Sequence, residues 1–359
     1  LEPRPEIIEE LGEAQEEYFH HLRSIRYLSN SLMDSHVNFF FPDGAAPLPD
    51  LSDYVSARLP IALDHTAEGF PVVVATESDD FALGDVIEAV DGRPVLELID
   101  AGLEFTASSE SSRMRNGLEM VMYIRVPTTY RLRSPDGATR DVEVAPIEGT
   151  PFVTPAAERA RGSLEDIGHP QLYYVDLSAA AMAGVDTREL HDTLEPYDGL
   201  ILDMRGYPGP ESWSFIAGLM PEGGPGARLQ EVLQGPDTRR VRDIPQPTAT
   251  STPGYEGPFV VLTAPTTQSQ AEHLVLTLSA ATGVEVVGRP SAGANGTITS
   301  LALPGGIGVS FTGLIILQND DSVFHGVGVP VDHPVDILPE DIAAGLDAEL
   351  ERATELLTP

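Results

Sequence analysis

From Glu6 to Met33 the apolar residues Ile7, Leu11, Ala14, Tyr18, Leu22, Ile25, Leu28 and Leu32 return every three or four positions, with Glu, Arg and Ser on many of the positions between. That spacing lines one face of a helix, so the chain is predicted to begin with a helical region. It ends at Asp34-Ser35-His36, and Val37 to Phe41 then reads as a strand stopped by Pro42-Asp43-Gly44. Between about Leu59 and Ile147 short strands are expected at Pro71 to Ala75, Val86 to Val90, Tyr130 to Leu132 and Val142 to Ala145, with turns at Asp91-Gly92 and Asp136-Gly137. A helix-like insertion, Leu96 to Met122, interrupts this β-rich module. From about Thr150 onward apolar strands (Leu172 to Leu177, Gly199 to Met204, Phe259 to Thr263, Val284 to Val287) alternate with helical stretches (Trp213 to Leu219, Gln270 to Ala281), the signature of an α/β core. Met220 to Gly257, rich in Gly, Pro, Thr and Arg, is expected to be a long surface loop, and Pro339 to Leu357 one helix packed on the core.

Length and charge narrow the possibilities. At 359 residues the chain has room for two or three domains, and no apolar run approaches the ~18 to 20 residues that cross a bilayer. Acidic residues outnumber basic ones 56 to 21, for a formal net charge of −35, and such a field repels phosphate backbones. The one Arg cluster, Arg239, Arg240 and Arg242, is small, so nucleic acid is not expected as a partner. All 21 basic residues are Arg and cysteine is absent. Thiol nucleophiles, disulfides and lysine bases are therefore closed to this chain. No His-x-x-x-His or carboxylate cluster at ligand spacing appears, so neither a catalytic metal nor a cofactor is expected.

Two segments carry candidate chemistry. Ser269, in Thr266-Thr267-Gln268-Ser269-Gln270-Ala271-Glu272, follows the strand Phe259 to Thr263 and opens an apolar helix. A hydroxyl there sits beside unpaired backbone N–H groups that stabilise an oxyanion, although a plain N-cap has the same local pattern. In the second, Tyr197 to Gly209, a buried strand empties into a Gly/Pro turn where backbone approaches a ligand closely. A simple strand-to-helix turn also fits.

In this order the segments resemble the tail-specific, or C-terminal-processing, serine peptidase family. Asp203, Arg205 and Gly209 match its Asp-x-Arg-x-x-x-Gly-Gly, and Ser269 with Glu272 its Ser-x-x-Glu, whose Ser is the nucleophile. Leu83 to Val95 is similar to the Gly-Asp-x-Ile…Asp-Gly-x-x-Val signature of the family's PDZ-like module. Val287 to Gly293 and Gly326 to Asp332 resemble two further family turns. The resemblance implies residues 1–58 as an N-terminal helical region, 59–149 as a PDZ-like module with an insertion, and 150–359 as a crotonase-like α/β catalytic core. It implies a serine endopeptidase that hydrolyses proteins or peptides through an acyl-enzyme, exported to the periplasm or beyond. The alternative is a catalytically inactive ligand- or peptide-binding protein on the same fold.

The departures from the family pattern select the mechanism. With no lysine, the family's Ser–Lys site is excluded, and the resemblance points to its tricorn-core-like branch, whose base is a histidine in an Asp-x-His segment. Asp34-Ser35-His36 is similar to that segment, which makes His36 the candidate base. The same histidine could cap the preceding helix or pack beside Phe39. That branch has an acid just before its Gly-x-Gly-Ile turn, where this chain has His325. The third member is therefore left open among Asp320 or Asp321, Asp34 and a looser dyad, with His325 a substrate contact or a loop residue. For the oxyanion hole the resemblance implies the amides of Gly209 and Gln270, with Gly206 as fallback. Pro210 replaces the family's second Gly and brings the turn's conformation into question.

Overall fold

The computed structural model describes residues 34–40, 57–103, 109–124, 126–146, 159–233, 240–246, 255–303 and 307–358. The helix expected over Glu6 to Met33 lies outside them. Among the described residues no helix is long and apolar enough to cross a membrane.

After a short strand β1 (Asn38–Phe40), strands β2 (Ile61–His65), β3 (Pro71–Thr76) and β4 (Val86–Val90) lead into helices α1 (Val95–Leu103) and α2 (Glu110–Met122). Strands β5 (Thr128–Arg133) and β6 (Thr139–Val144) follow, and the five form an antiparallel sheet in the order β2-β3-β4-β5-β6. Ile61, Val73, Ile87, Tyr130 and Leu132 pack with Ile99, Leu103 and Val121 of the two helices, giving this sheet its own core. The helix-like insertion in the sequence is thus the helical layer that buries the sheet.

The second sheet contains β7 (Gly162–Leu164), β8 (His169–Asp176), β9 (Gly199–Asp203), β12 (Phe259–Thr263), β13 (Glu285–Gly288) and β17 (His333–Pro334), in that spatial order. All neighbours run parallel except β7 against β8. Helices α3 (Thr187–Leu194), α4 (Pro210–Ala217) and α5 (Gln270–Thr282) cover one face, where Leu200, Leu202 and Val261 meet Leu190, Phe215, Leu274 and Leu278. On the other face Ile201, Val260 and Leu262 meet Leu350 and Ala353. A parallel strand buried on both faces needs a continuous apolar run, and Gly-Leu-Ile-Leu-Asp and Phe-Val-Val-Leu-Thr supply it.

The expected loop from Met220 to Gly257 is corrected in part. It contains β10 (Arg228–Leu233) and β11 (Arg240–Ile244), which form an antiparallel sheet with β16 (Leu314–Leu317). Their mixed charged and apolar pattern hid them, because the residue paired with Leu229 is Ile316, far along the chain. Two more strands, β14 (Ile298–Ala302) and β15 (Gly308–Thr312), join β1 in the order β1-β15-β14. The single C-terminal helix is also corrected. Gly345, in the left-handed region at φ 72°, ends α6 (Pro339–Ala344), and Asp347 caps α7 (Ala348–Leu357) by accepting from Leu350 N.

An ion-pair network locks α7 to the sheet. The guanidinium of Arg205, just past β9, donates to Asp203, to Asp347 at 2.8 and 3.0 Å and to Glu349 at 2.7 Å. Glu349, whose side chain is 2% exposed, also accepts from Arg289 Nε at 2.9 Å, and Arg289 grips Asp64 of β2 at 2.7 and 2.8 Å. The Asp-x-Arg motif therefore serves the architecture. Arg205→Met strands buried carboxylates without their cation, and chemical denaturation is expected to show a loss of about 3–5 kcal/mol.

Candidate active site

Strands β9 and β12 are parallel neighbours, with Asp203 opposite Leu262, so the turns leaving their C-terminal ends lie side by side. In open α/β sheets that edge is where ligands bind. The turn after β12 delivers Ser269 to the start of α5 with φ 57° and ψ −111°. A non-glycine residue held there stores about 1–3 kcal/mol of backbone strain, which the surroundings must sustain. They do so at several points. Thr267 Oγ1 donates to Met204 O at 3.0 Å and accepts from Ala264 N at 3.0 Å. From the other sheet's helix α2, Arg115 donates to Pro265 O at 3.2 Å and to Gln268 Oε1 at 2.7 Å.

The Ser269 amide donates to Glu272 Oε2 at 2.9 Å. Glu272 is fully buried and also accepts from Ser291 Oγ (2.6 Å), Gly293 N (2.6 Å) and Ala294 N (3.1 Å). Burial pushes its pKa up to about 7, against those four donors, which favour the carboxylate. Glu272 thus ties the turn bearing Ser269 to the 291–294 turn. Gly293 adopts φ 67°, and a Cβ there would lie 2.9 Å from Gly326 C, so only glycine lets the two segments meet. Gly326 N donates to Gly293 O at 2.8 Å, which places His325 beside the same turn.

The Asp34-Ser35-His36 turn reaches this neighbourhood from the chain's other end. Ser35 Oγ hydrogen-bonds Ser112 Oγ and accepts from Ser109 N at 3.3 Å, and Ser109 Oγ donates to Ala292 O. His36 is buried, its Nδ1 2.8 Å from Thr312 Oγ1. Burial holds its pKa below the usual imidazole value, partly offset by Asp34 and reinforced by His325. The Ser269 turn and the Asp34-Ser35-His36 turn are thus each tied to residues 291–294, one through Glu272 and the other through Ser35 and Ser109, and among the described residues no hydrogen bond joins Ser269 Oγ to the imidazole.

Asp34 is buried and His325 Nε2 stands 3.8 Å from its Oδ1. Asp321 does not join them: its side chain is 64% exposed and forms an ion pair with Arg228. Of the alternatives left open for the third member, Asp321 is ruled out on that ground. Gly209 is also corrected as a free oxyanion donor, because its amide donates to Ser212 Oγ at 3.1 Å. Gly206 lies on the same β9–α4 turn against Ser178. Gln270 is the first residue of α5, where amides have no acceptor within the helix. Pro210 occupies the first helical position of α4, where a fixed φ and a missing N–H are no handicap. His273, one turn past Ser269, packs on Trp213 with ring centroids 5.4 Å apart.

Sequence reasoning missed Arg115 and Thr312. Neither had a local signal, since each acquires its partner only through folding over long separations. Glu272 was visible as the last residue of the Ser-x-x-Glu match, but its four donors were not.

Residues 171–335 match the profile of peptidase family S41. The matched region includes Ser269 and excludes His36. Among solved structures, mature CPAF is similar with a TM-score of 0.66 and 15% identity, covering 96% of this chain and 89% of that one. CPAF complexed with lactacystin gives the same TM-score and identity over 94% and 87%. The photosystem II D1 C-terminal processing protease is similar at a TM-score of 0.49 and 17% identity, over 93% and 85%. No curated protein matches the chain. At such identities the CPAF likeness is one of fold.

Proposed function

We propose that this chain, whose residues 171–335 match the profile of peptidase family S41, is a serine endopeptidase in which Ser269 is the nucleophile and His36 the general base. The observation that carries this reading is Ser269 itself, held at a strained φ of 57° on a strand–turn–helix at the C-terminal edge of a parallel sheet. An N-cap alone has no use for that strain.

In the first step Ser269 Oγ bonds to the scissile carbonyl carbon while its proton passes to His36 Nε2. The carbonyl oxygen becomes an oxyanion facing the Gln270 amide, with Gly206 as second donor. Collapse breaks the C–N bond as the proton moves from His36 to the leaving amine. A water, deprotonated by His36, then releases the acyl group. The missing Ser269–His36 hydrogen bond is compatible with this sequence, since such contacts tighten when substrate binds. The antiparallel sheet with α1 and α2 is read as the PDZ-like module, and the parallel sheet as a crotonase-like core. Protein or peptide chains are the substrates.

A serine-directed fluorophosphonate tests the assignment. Labelling is expected at Ser269 and is expected to be lost in His36→Ala, and labelling elsewhere would overturn the reading. The pH dependence has a defined sign. The competent base is the neutral imidazole, so a pKa lowered below 6.5 keeps it competent at neutrality. The labelling rate should be level above pH 6.5 and fall only as pH drops through that lowered value.

A further inference from the structure

We propose that Asp34 is the acid of this site and that it acts on His36 through the hydroxyl of Thr312, a positioning residue that fixes the imidazole's tautomer. The inference rests on the reading of His36 as base.

Thr312 reaches His36 because of strand register. β1 pairs antiparallel with β15 so that Asn38 faces Ser310 and Phe40 faces Gly308. Continuing that register by two residues sets position 36 opposite position 312, on the same face. Ser310 Oγ donates to His36 O at 2.9 Å and pins this extension. The Thr312 side chain then stands between a carboxylate and an imidazole that a shorter strand would leave unconnected.

The donors and acceptors admit one arrangement. Asp34 is held as an acceptor from three directions: His36 N reaches Oδ1 at 2.9 Å, Thr312 N reaches Oδ2 at 2.7 Å, and Thr312 Oγ1 lies 2.9 Å from Oδ1. A carboxylate only accepts, so the single hydroxyl hydrogen of Thr312 points at Asp34. What Thr312 Oγ1 turns toward His36 Nδ1, at 2.8 Å, is therefore a lone pair, and Nδ1 must carry the hydrogen. Nε2 is left with the free lone pair that accepts a serine proton. When His36 becomes positive, Asp34 stabilises it through the polarised hydroxyl. His325, 3.8 Å from Asp34, is too far for a hydrogen bond and is a charge neighbour.

Replacing Asp34 by Asn removes the charge that stabilises the imidazolium. With the amide oxygen in the Oδ1 place it still accepts from His36 N and Thr312 Oγ1, and the NH2 leaves Thr312 N without its acceptor. Thr312→Val removes the hydroxyl at nearly constant shape.

The test measures fluorophosphonate labelling rate against pH for wild type, Thr312→Val, Thr312→Ser, Asp34→Asn and His36→Ala, with the His36 tautomer read by imidazole 15N NMR. Thr312→Val is expected to lower the plateau rate about 10- to 100-fold and to move the acid limb to lower pH, a smaller loss than outright tautomer reversal produces. Thr312→Ser should restore most of the rate. The wild-type spectrum should show hydrogen on Nδ1, and Asp34→Asn, which removes the charge, should move the acid limb to lower pH as Thr312→Val does. If His36→Ala abolishes labelling while Thr312→Val matches wild type in rate and pH profile, the relay is wrong and the Ser–His pair stands. If His36→Ala labels at the wild-type rate, the base assignment fails and the relay with it. A wild-type tautomer with hydrogen on Nε2 overturns the relay whether or not any variant folds.

Discussion

Ser269→Ala is expected to abolish peptide hydrolysis, with kcat falling by a factor on the order of 10³ or more and substrate binding retained. The size follows from covalent chemistry: without Oγ no acyl-enzyme forms, and what remains is the modest assistance of the oxyanion donors to attack by water. The variant should fold normally. Alanine tolerates φ 57° no better and no worse than serine, and the amide bond to Glu272 is unaffected. Hydrolysis of an unstructured protein such as casein, followed by mass spectrometry of the fragments, provides the measurement. Retention of wild-type turnover in a folded Ser269→Ala protein would exclude the nucleophile assignment and leave only the fold.

The second large effect is on stability and activity together. Glu272→Ala removes the acceptor shared by three backbone amides and one hydroxyl in a dry site. Each orphaned donor costs about 1–3 kcal/mol, less whatever an entering water recovers, so a loss of roughly 3–5 kcal/mol is expected on denaturation. Activity should fall further than unfolding explains, because the 291–294 turn no longer holds Ser269 at its strained φ. Glu272→Gln is expected to rescue poorly. Both carboxylate oxygens accept from two donors, so whichever end carries the NH2 points hydrogens at hydrogens. Near-wild-type stability in Glu272→Gln would show that the four-donor arrangement is not what holds the turn.

How much was legible depended on the range of the interactions. The runs Gly199 to Met204 and Phe259 to Thr263 announced buried parallel strands by composition alone, and their observed bounds, Gly199–Asp203 and Phe259–Thr263, differ by one residue at most. Ser269 and Glu272 could be picked out because they share one helical turn. His36 could be nominated from its neighbours Asp34 and Ser35. The strand Arg228–Leu233 stayed hidden because its partners lie far along the chain. The third member that we propose, Asp34, stayed unassigned in the sequence for the same reason. Asp321, near His325 in sequence, turns outward to Arg228, whereas Asp34, only two residues before His36, connects through a hydroxyl 276 positions away.

By itself the order of residues determined which chemistries were closed, since a chain without lysine or cysteine has no lysine base and no thiol nucleophile, and it determined the strands and helices whose periodicity is local. Tertiary structure alone decided which carboxylate, which hydroxyl and which amides face the site. Hydrogen bonds act over about 3 Å, and sheet register rather than sequence distance brings Asp34, His36 and Thr312 within that reach.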